Sequence, residues 1–80
     1  MFKTKEKTEA LFGLDVVKYR ELTFGEVYDI NAKSKTEFEK VSNVLLISII
    51  EPPMALEDIQ EIPVRYQPDI EKVVTFAMGG

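Results

Sequence analysis

Between Thr36 and the Pro52-Pro53 pair lies the window of this chain in which a long helix can both start and stop. Thr36 with Glu39 three residues on has the form of a capping box, whose hydroxyl and carboxylate each take a free amide of the first turn. Proline lacks the amide that a helix interior needs and pushes the residue before it toward extended backbone. The spacing therefore predicts a helix from Glu37 to about Glu51. With a turn of about 100° per residue, Phe38, Val41, Leu45 and Ile49 fall on one stripe. Glu39, Lys40 and Asn43 oppose that stripe in the first half; Leu46, Ile47 and Ile50 oppose it in the second. The helix is amphipathic where it begins and apolar all round where it ends, and such an end must be covered on every side.

The same capping pattern recurs at Thr23 and Glu26, with Leu22 and Val27 placed as a hydrophobic staple. A helix is expected from there to about Lys33, with Asp29 and Lys33 as a favourable i,i+4 pair. Upstream, Leu14 to Leu22 alternates Val16, Lys18 and Arg20 with Val17, Tyr19 and Glu21, which favours one short strand near Val16 to Arg20. A lone strand needs a partner, either in this chain or in a neighbouring subunit. Residues 1–13 are charged until Leu11-Phe12-Gly13 and are expected to be a flexible tail ending in a turn at Gly13.

Downstream of the prolines, Ala55 to Ile62 reads as a short helix with Leu56, Ile59 and Ile62 inward. Glu57 and Asp58 suit its positive N-terminal end. Pro63 ends it, and Pro68 opens a last helix at the position where its missing amide costs nothing. Ile70, Val73, Val74, Ala77 and Met78 then follow the helical apolar spacing. Together these elements predict a mainly α fold, a small bundle of three to four helices with room for a short N-terminal β segment. Residues 1–13 form the tail and residues 14–80 a single helical domain.

The chain has 80 residues and neither Cys nor His. A core this small without disulfide or metal often gains stability by association, so a homo-oligomer is expected. Residues 1–20 carry five basic and three acidic side chains, whereas residues 21–80 carry five basic and eleven acidic ones. An acidic body argues against nucleic acid, whose affinity comes mostly from neutralising phosphate. The longest apolar stretch, Val44 to Ile50, falls far short of the roughly 20 residues that span a bilayer. The first residues lack the apolar core of a secretory leader. A cytoplasmic location without membrane contact is the expectation.

Few groups could do chemistry. Without His there is no base poised near neutral pH, and without Cys no thiolate nucleophile. Gly13, Gly25, Gly79 and Gly80 make no phosphate loop. Ser34, Ser42 and Ser48 have no His to activate them. The pairs Glu57/Asp58, Glu37/Glu39 and Glu57/Glu61 fall on exposed helix faces, whereas acid–base work needs a carboxyl held in apolar surroundings. The expectation is a non-catalytic protein without cofactor or metal. Its surplus apolar positions, Leu46, Ile47, Ile50, Phe76 and Met78, are the candidate protein-binding residues, suited to helix-in-groove packing.

Three segments carry a family resemblance. They are Tyr19-Arg20-Glu21-Leu22-Thr23-Phe24-Gly25-Glu26-Val27, then Ile49-Ile50-Glu51-Pro52-Pro53, then Leu56-Glu57-Asp58-Ile59 to Ile62-Pro63 before a terminal amphipathic helix and Gly. In this order, over residues 14–80, the chain resembles the tail assembly chaperones of long-tailed bacteriophages and prophages. The resemblance implies binding to the tape measure protein and help for tail tube protein assembling around it, in the host cytoplasm. It also implies self-association, and it brings no site residues with it. Other readings are a structural tail or baseplate component and a regulatory module touching DNA through its basic start. A ubiquitin-like sulfur carrier using Gly79-Gly80 would need a strand-rich sheet where residues 36–51 read as helix.

Overall fold

A computed structural model describes residues 1–80. In chain order it contains β1 (Glu6–Glu9), β2 (Val17–Arg20), α1 (Phe24–Lys33), α2 (Glu37–Ser48), β3 (Ile49–Glu51), α3 (Leu56–Gln60), a 3-10 turn (Val64–Tyr66) and α4 (Gln67–Ala77). The strands form one antiparallel sheet in the order β1-β2-β3. The expected mainly α bundle is therefore corrected. Four helices and a three-stranded antiparallel sheet make a mixed α/β fold. No helix is long and apolar enough to cross a membrane.

Two strands account for the correction. β1 lies within the residues expected to be a flexible tail. Glu6 pairs with Arg20 and Glu9 with Val17, and Lys5 exchanges further bonds with Glu21 at the ladder's end. β1 carries almost no apolar side chain, so periodicity could not reveal it. What holds it is backbone pairing, a Lys18–Glu6 contact of 3.4 Å and the Lys7 ammonium 5.4 Å from the Phe76 ring centre. β3 replaces the expected last turn of the central helix. Pro52 drives Glu51 to extended backbone, and β-branched Ile49 and Ile50 suit a strand. β3 pairs with β2 through a bulge, since Lys18 faces Glu51 while Tyr19 faces Ile49. Ile50 is the extra residue. The partners of β2 thus both come from this chain.

Leu11 and Phe12, also in the expected tail, are buried in the main core with Val17, Tyr19, Leu45, Ile49, Ile59 and Val73. They are placed by a turn closed by Leu14 N–H donating to the Leu11 carbonyl at 2.8 Å. Its central residues, Phe12 and Gly13, have φ of +57° and +75°. This is the mirror-image turn form that normally asks for Gly or Asn. At Gly13 a Cβ would come within 2.5 Å of the Tyr66 hydroxyl, so glycine is needed there for space as well.

α4 lies against both β2 and α2. Tyr19 meets the Phe76 ring edge-on, with centroids 5.4 Å apart. A smaller core joins Ile30, Val44 and Ala77, with Leu22, Ile47 and Val74 packed around it. The helix starts follow the sequence closely. Thr23 and Glu26 complete a capping box. Thr36 accepts the Glu39 amide at 3.1 Å, but the Glu39 carboxylate takes the amide of Lys35 instead of that of Thr36.

Candidate functional site: an apolar groove between α2, α3 and α4

The amphipathic half of α2 does not bury its whole stripe. Leu45 is buried and Val41 half-buried, while Phe38 remains 61% exposed one turn earlier. The reason is length. α3 has only 5 residues and leaves Phe38 uncovered. Between them runs a groove of about 270 Å³. Phe38, Val41 and Leu45 form one wall. Ile59 and Ile62 line it from α3 and the link after it, and Val64 and Ile70 from the 3-10 turn and α4. Val64 stands out from the 3-10 turn at 84% exposure, so Phe38 and Val64 are two free apolar lips.

The polar atoms of the groove are mostly spoken for. The Ser42 hydroxyl donates back to the Phe38 carbonyl at 2.8 Å. Gln67 bonds Glu71 at 3.4 Å. Small-molecule sites run from about 300 Å³ upward and carry a few converging polar groups. This groove is smaller and less polar, and suits one or two side chains of another polypeptide. A second hollow of about 300 Å³ beside it is lined by Lys33, Glu39, Ser42, Asn43, Leu56 and Gln60. Its polar groups bond within the protein: Glu39 to the Lys35 amide and Asn43 to the Ser34 hydroxyl.

The titratable groups with displaced pKa values lie away from the groove and hold elements together. Arg20, by its two hydrogen bonds with support from Thr23, brings the Glu26 carboxyl down to about 2. Bonds from Lys72 and the Tyr19 hydroxyl lower Glu9. Burial and the Glu9 carboxylate push the Tyr19 hydroxyl above its usual range. Glu9 thus ties β1 to β2 and to α4. No group of three or more Asp or Glu side chains is placed to hold a metal ion.

The five residues singled out from the sequence do not share one surface. Leu46 and Phe76 pack against the main core, and Ile47 packs against the smaller one. Ile50 is half-buried at the bulge, and Met78 is 44% exposed after the last turn of α4. None of them lines the groove. The residues that do carry no surplus apolar pattern in the sequence. Phe38 shares a stripe with Val41 and Leu45, and Val64 falls in a link between helices. The available signal was Val64 itself, an apolar side chain between Pro63 and Arg65 with no helical neighbour to bury it.

No protein-family model matches the chain, and neither does any curated protein or solved structure.

Proposed function

We propose that this protein is a non-catalytic holder of another protein, acting as a phage or prophage tail assembly chaperone. In this reading the groove takes apolar side chains from the tape measure protein and keeps that long helical client from aggregating. The tail tube protein then assembles around the client in the host cytoplasm. The observation that carries the reading is the groove with its two exposed lips, Phe38 and Val64, on an otherwise acidic chain. An amphipathic helix presents apolar side chains at i, i+3, i+4 and i+7, and a short apolar slot between helices is the surface that receives them. The acidic exterior keeps the holder dissolved while its apolar slot is open.

Co-expression with the long helical protein encoded beside it tests the reading. The client is expected to become soluble and to co-purify in a fixed ratio. Val64→Asp should abolish co-purification while leaving the circular dichroism spectrum unchanged, since Val64 makes little contact with its own chain. A client that stays insoluble, or binds Val64→Asp equally well, overturns the proposal.

A further inference from the structure

β1 runs antiparallel to α4, and three contacts mark the alignment. Glu9 meets Lys72, and the Phe12 amide meets Asp69. At the other end Lys5 bonds Glu21, next to Leu22, whose amide donates to the Ala77 carbonyl. Residues 1–4 therefore leave the sheet beyond the C-terminal end of α4. The groove lies at the opposite end, beside Gln67 and Ile70.

This leading segment, Met1-Phe2-Lys3-Thr4, carries two large apolar side chains and one lysine. Phe2 is 93% exposed and Met1 fully so, which means neither packs on its own chain. The part of the chain that builds the groove has the opposite charge. Residues 36–71 hold eight acidic side chains against only Lys40 and Arg65. Glu37 lines the groove, Glu61 sits between its lining residues Gln60 and Ile62, and Glu71 bonds lining Gln67. The volume fits as well. A cavity of about 150 Å³ holds a benzene ring, so about 270 Å³ accepts the Phe2 ring with part of Met1.

The segment cannot serve its own groove. Four residues reach at most about 14 Å when fully extended. The path back runs about 10–15 Å along α4 and then across a helix layer of about 10 Å.

We infer that residues 1–4 of one copy occupy the α2–α3–α4 groove of a second copy, Phe2 in the slot and Lys3 against its acidic surroundings. This rests on reading the groove as a binding surface, and it adds how that surface is covered before a client arrives. The contact is head-to-tail, because segment and groove lie at opposite ends of the molecule. Such contacts propagate into rings or open chains instead of stopping at a two-fold dimer. Self-association and client binding then compete for one slot.

The test uses the full-length chain with Phe2→Asp, with Val64→Asp, and a mixture of both, followed by sedimentation velocity. Both side chains are exposed, so neither change removes core packing; circular dichroism checks this. The wild type is expected to form concentration-dependent oligomers that weaken with added salt. Each variant alone should lose about tenfold or more in self-affinity. The mixture should form a one-to-one heterodimer and nothing larger, since it keeps one intact segment and one intact groove. A wild type that stays monomeric through the micromolar range overturns the inference. So does a Phe2→Asp chain that assembles like the wild type, or a mixture that forms no dimer. Client capture reports separately. Phe2→Asp should hold client at least as well as the wild type. Capture lost with self-association intact removes the chaperone reading alone.

Discussion

The backbone amide of Phe12 donates to the carboxylate of Asp69 at 2.9 Å, across 57 residues of sequence. Phe12 has φ of +57°, a conformation that costs a bulky residue on the order of 1–3 kcal/mol. Its burial, its edge-on contact with Tyr66 at 6.4 Å and this hydrogen bond hold it there. Asp69 also sits in the first turn of α4, where a negative charge is favourable. Asp69→Ala removes both effects and leaves a part-buried amide without its acceptor. The expected cost is about 1–3 kcal/mol, read from urea unfolding. Asp69→Asn, which keeps an acceptor, should recover part of it. A cost within a few tenths would show that the turn stands without α4.

Arg20 and Glu26 make two parallel hydrogen bonds, of 2.9 and 2.7 Å, between β2 and the first turn of α1. The folded Glu26 carboxyl lies at about 2, whereas an unfolded glutamate lies near 4.3. The depressed folded value favours the folded state whenever the unfolded carboxyl is ionised. This contribution is complete above about pH 4.5 and disappears as the pH falls toward 2. Glu26→Gln should be less stable than the wild type at pH 7, and the gap should close through that window. A gap that is constant from pH 7 to the acid limit would mean the ion pair adds no stability.

What could be read from the chain alone divides along physical lines. Caps are local, so Thr23, Glu26 and Thr36 were legible from spacing within a few residues. The helices that bury one apolar stripe, α2 and α4, were legible from periodicity. β1 was not, because Lys7 and Glu9 hold it through charge and ladder bonds to residues far along the chain. β3 was not, because an apolar run suits a helix end or a buried strand equally well. Only its pairing with β2 decides. The groove is the gap left by a short α3 beside a longer α2, and a gap between elements has no signature in either of them.

Thr36 caps the helix that touches more of the fold than any other, reaching α1, α3, α4 and β3. Its hydroxyl takes the Glu39 amide at 3.1 Å at an exposed site. Thr36→Ala is expected to lower stability by about 0.5–2 kcal/mol. Glu39→Ala should cost less, because it frees only the exposed Lys35 amide outside the helix. Denaturant midpoints for the two variants check the order. A reversal would place the main stabilisation of this helix start in the carboxylate.

Leu11 separates a docked N-terminal segment from a loose one. It is 3% exposed and belongs to the same cluster as Val17, Tyr19 and Leu45. Truncating a buried leucine removes its transfer free energy and leaves a cavity, together about 2–5 kcal/mol. A domain of this size has about 5–10 kcal/mol in all, toward the lower end of the usual range. Leu11→Ala should therefore lower the unfolding midpoint steeply, whereas a leucine in a free tail would cost almost nothing. Amide exchange sharpens the reading. The Lys5 amide bonds the Glu21 carboxylate and the Glu21 amide bonds the Lys5 carbonyl, at 2.8 and 2.9 Å. If Leu11 anchors the turn that holds β1 in register, both amides lose protection in Leu11→Ala before those of α2 do. Loss of protection in all elements together would instead mean that the sheet and the helices open as one cooperative unit.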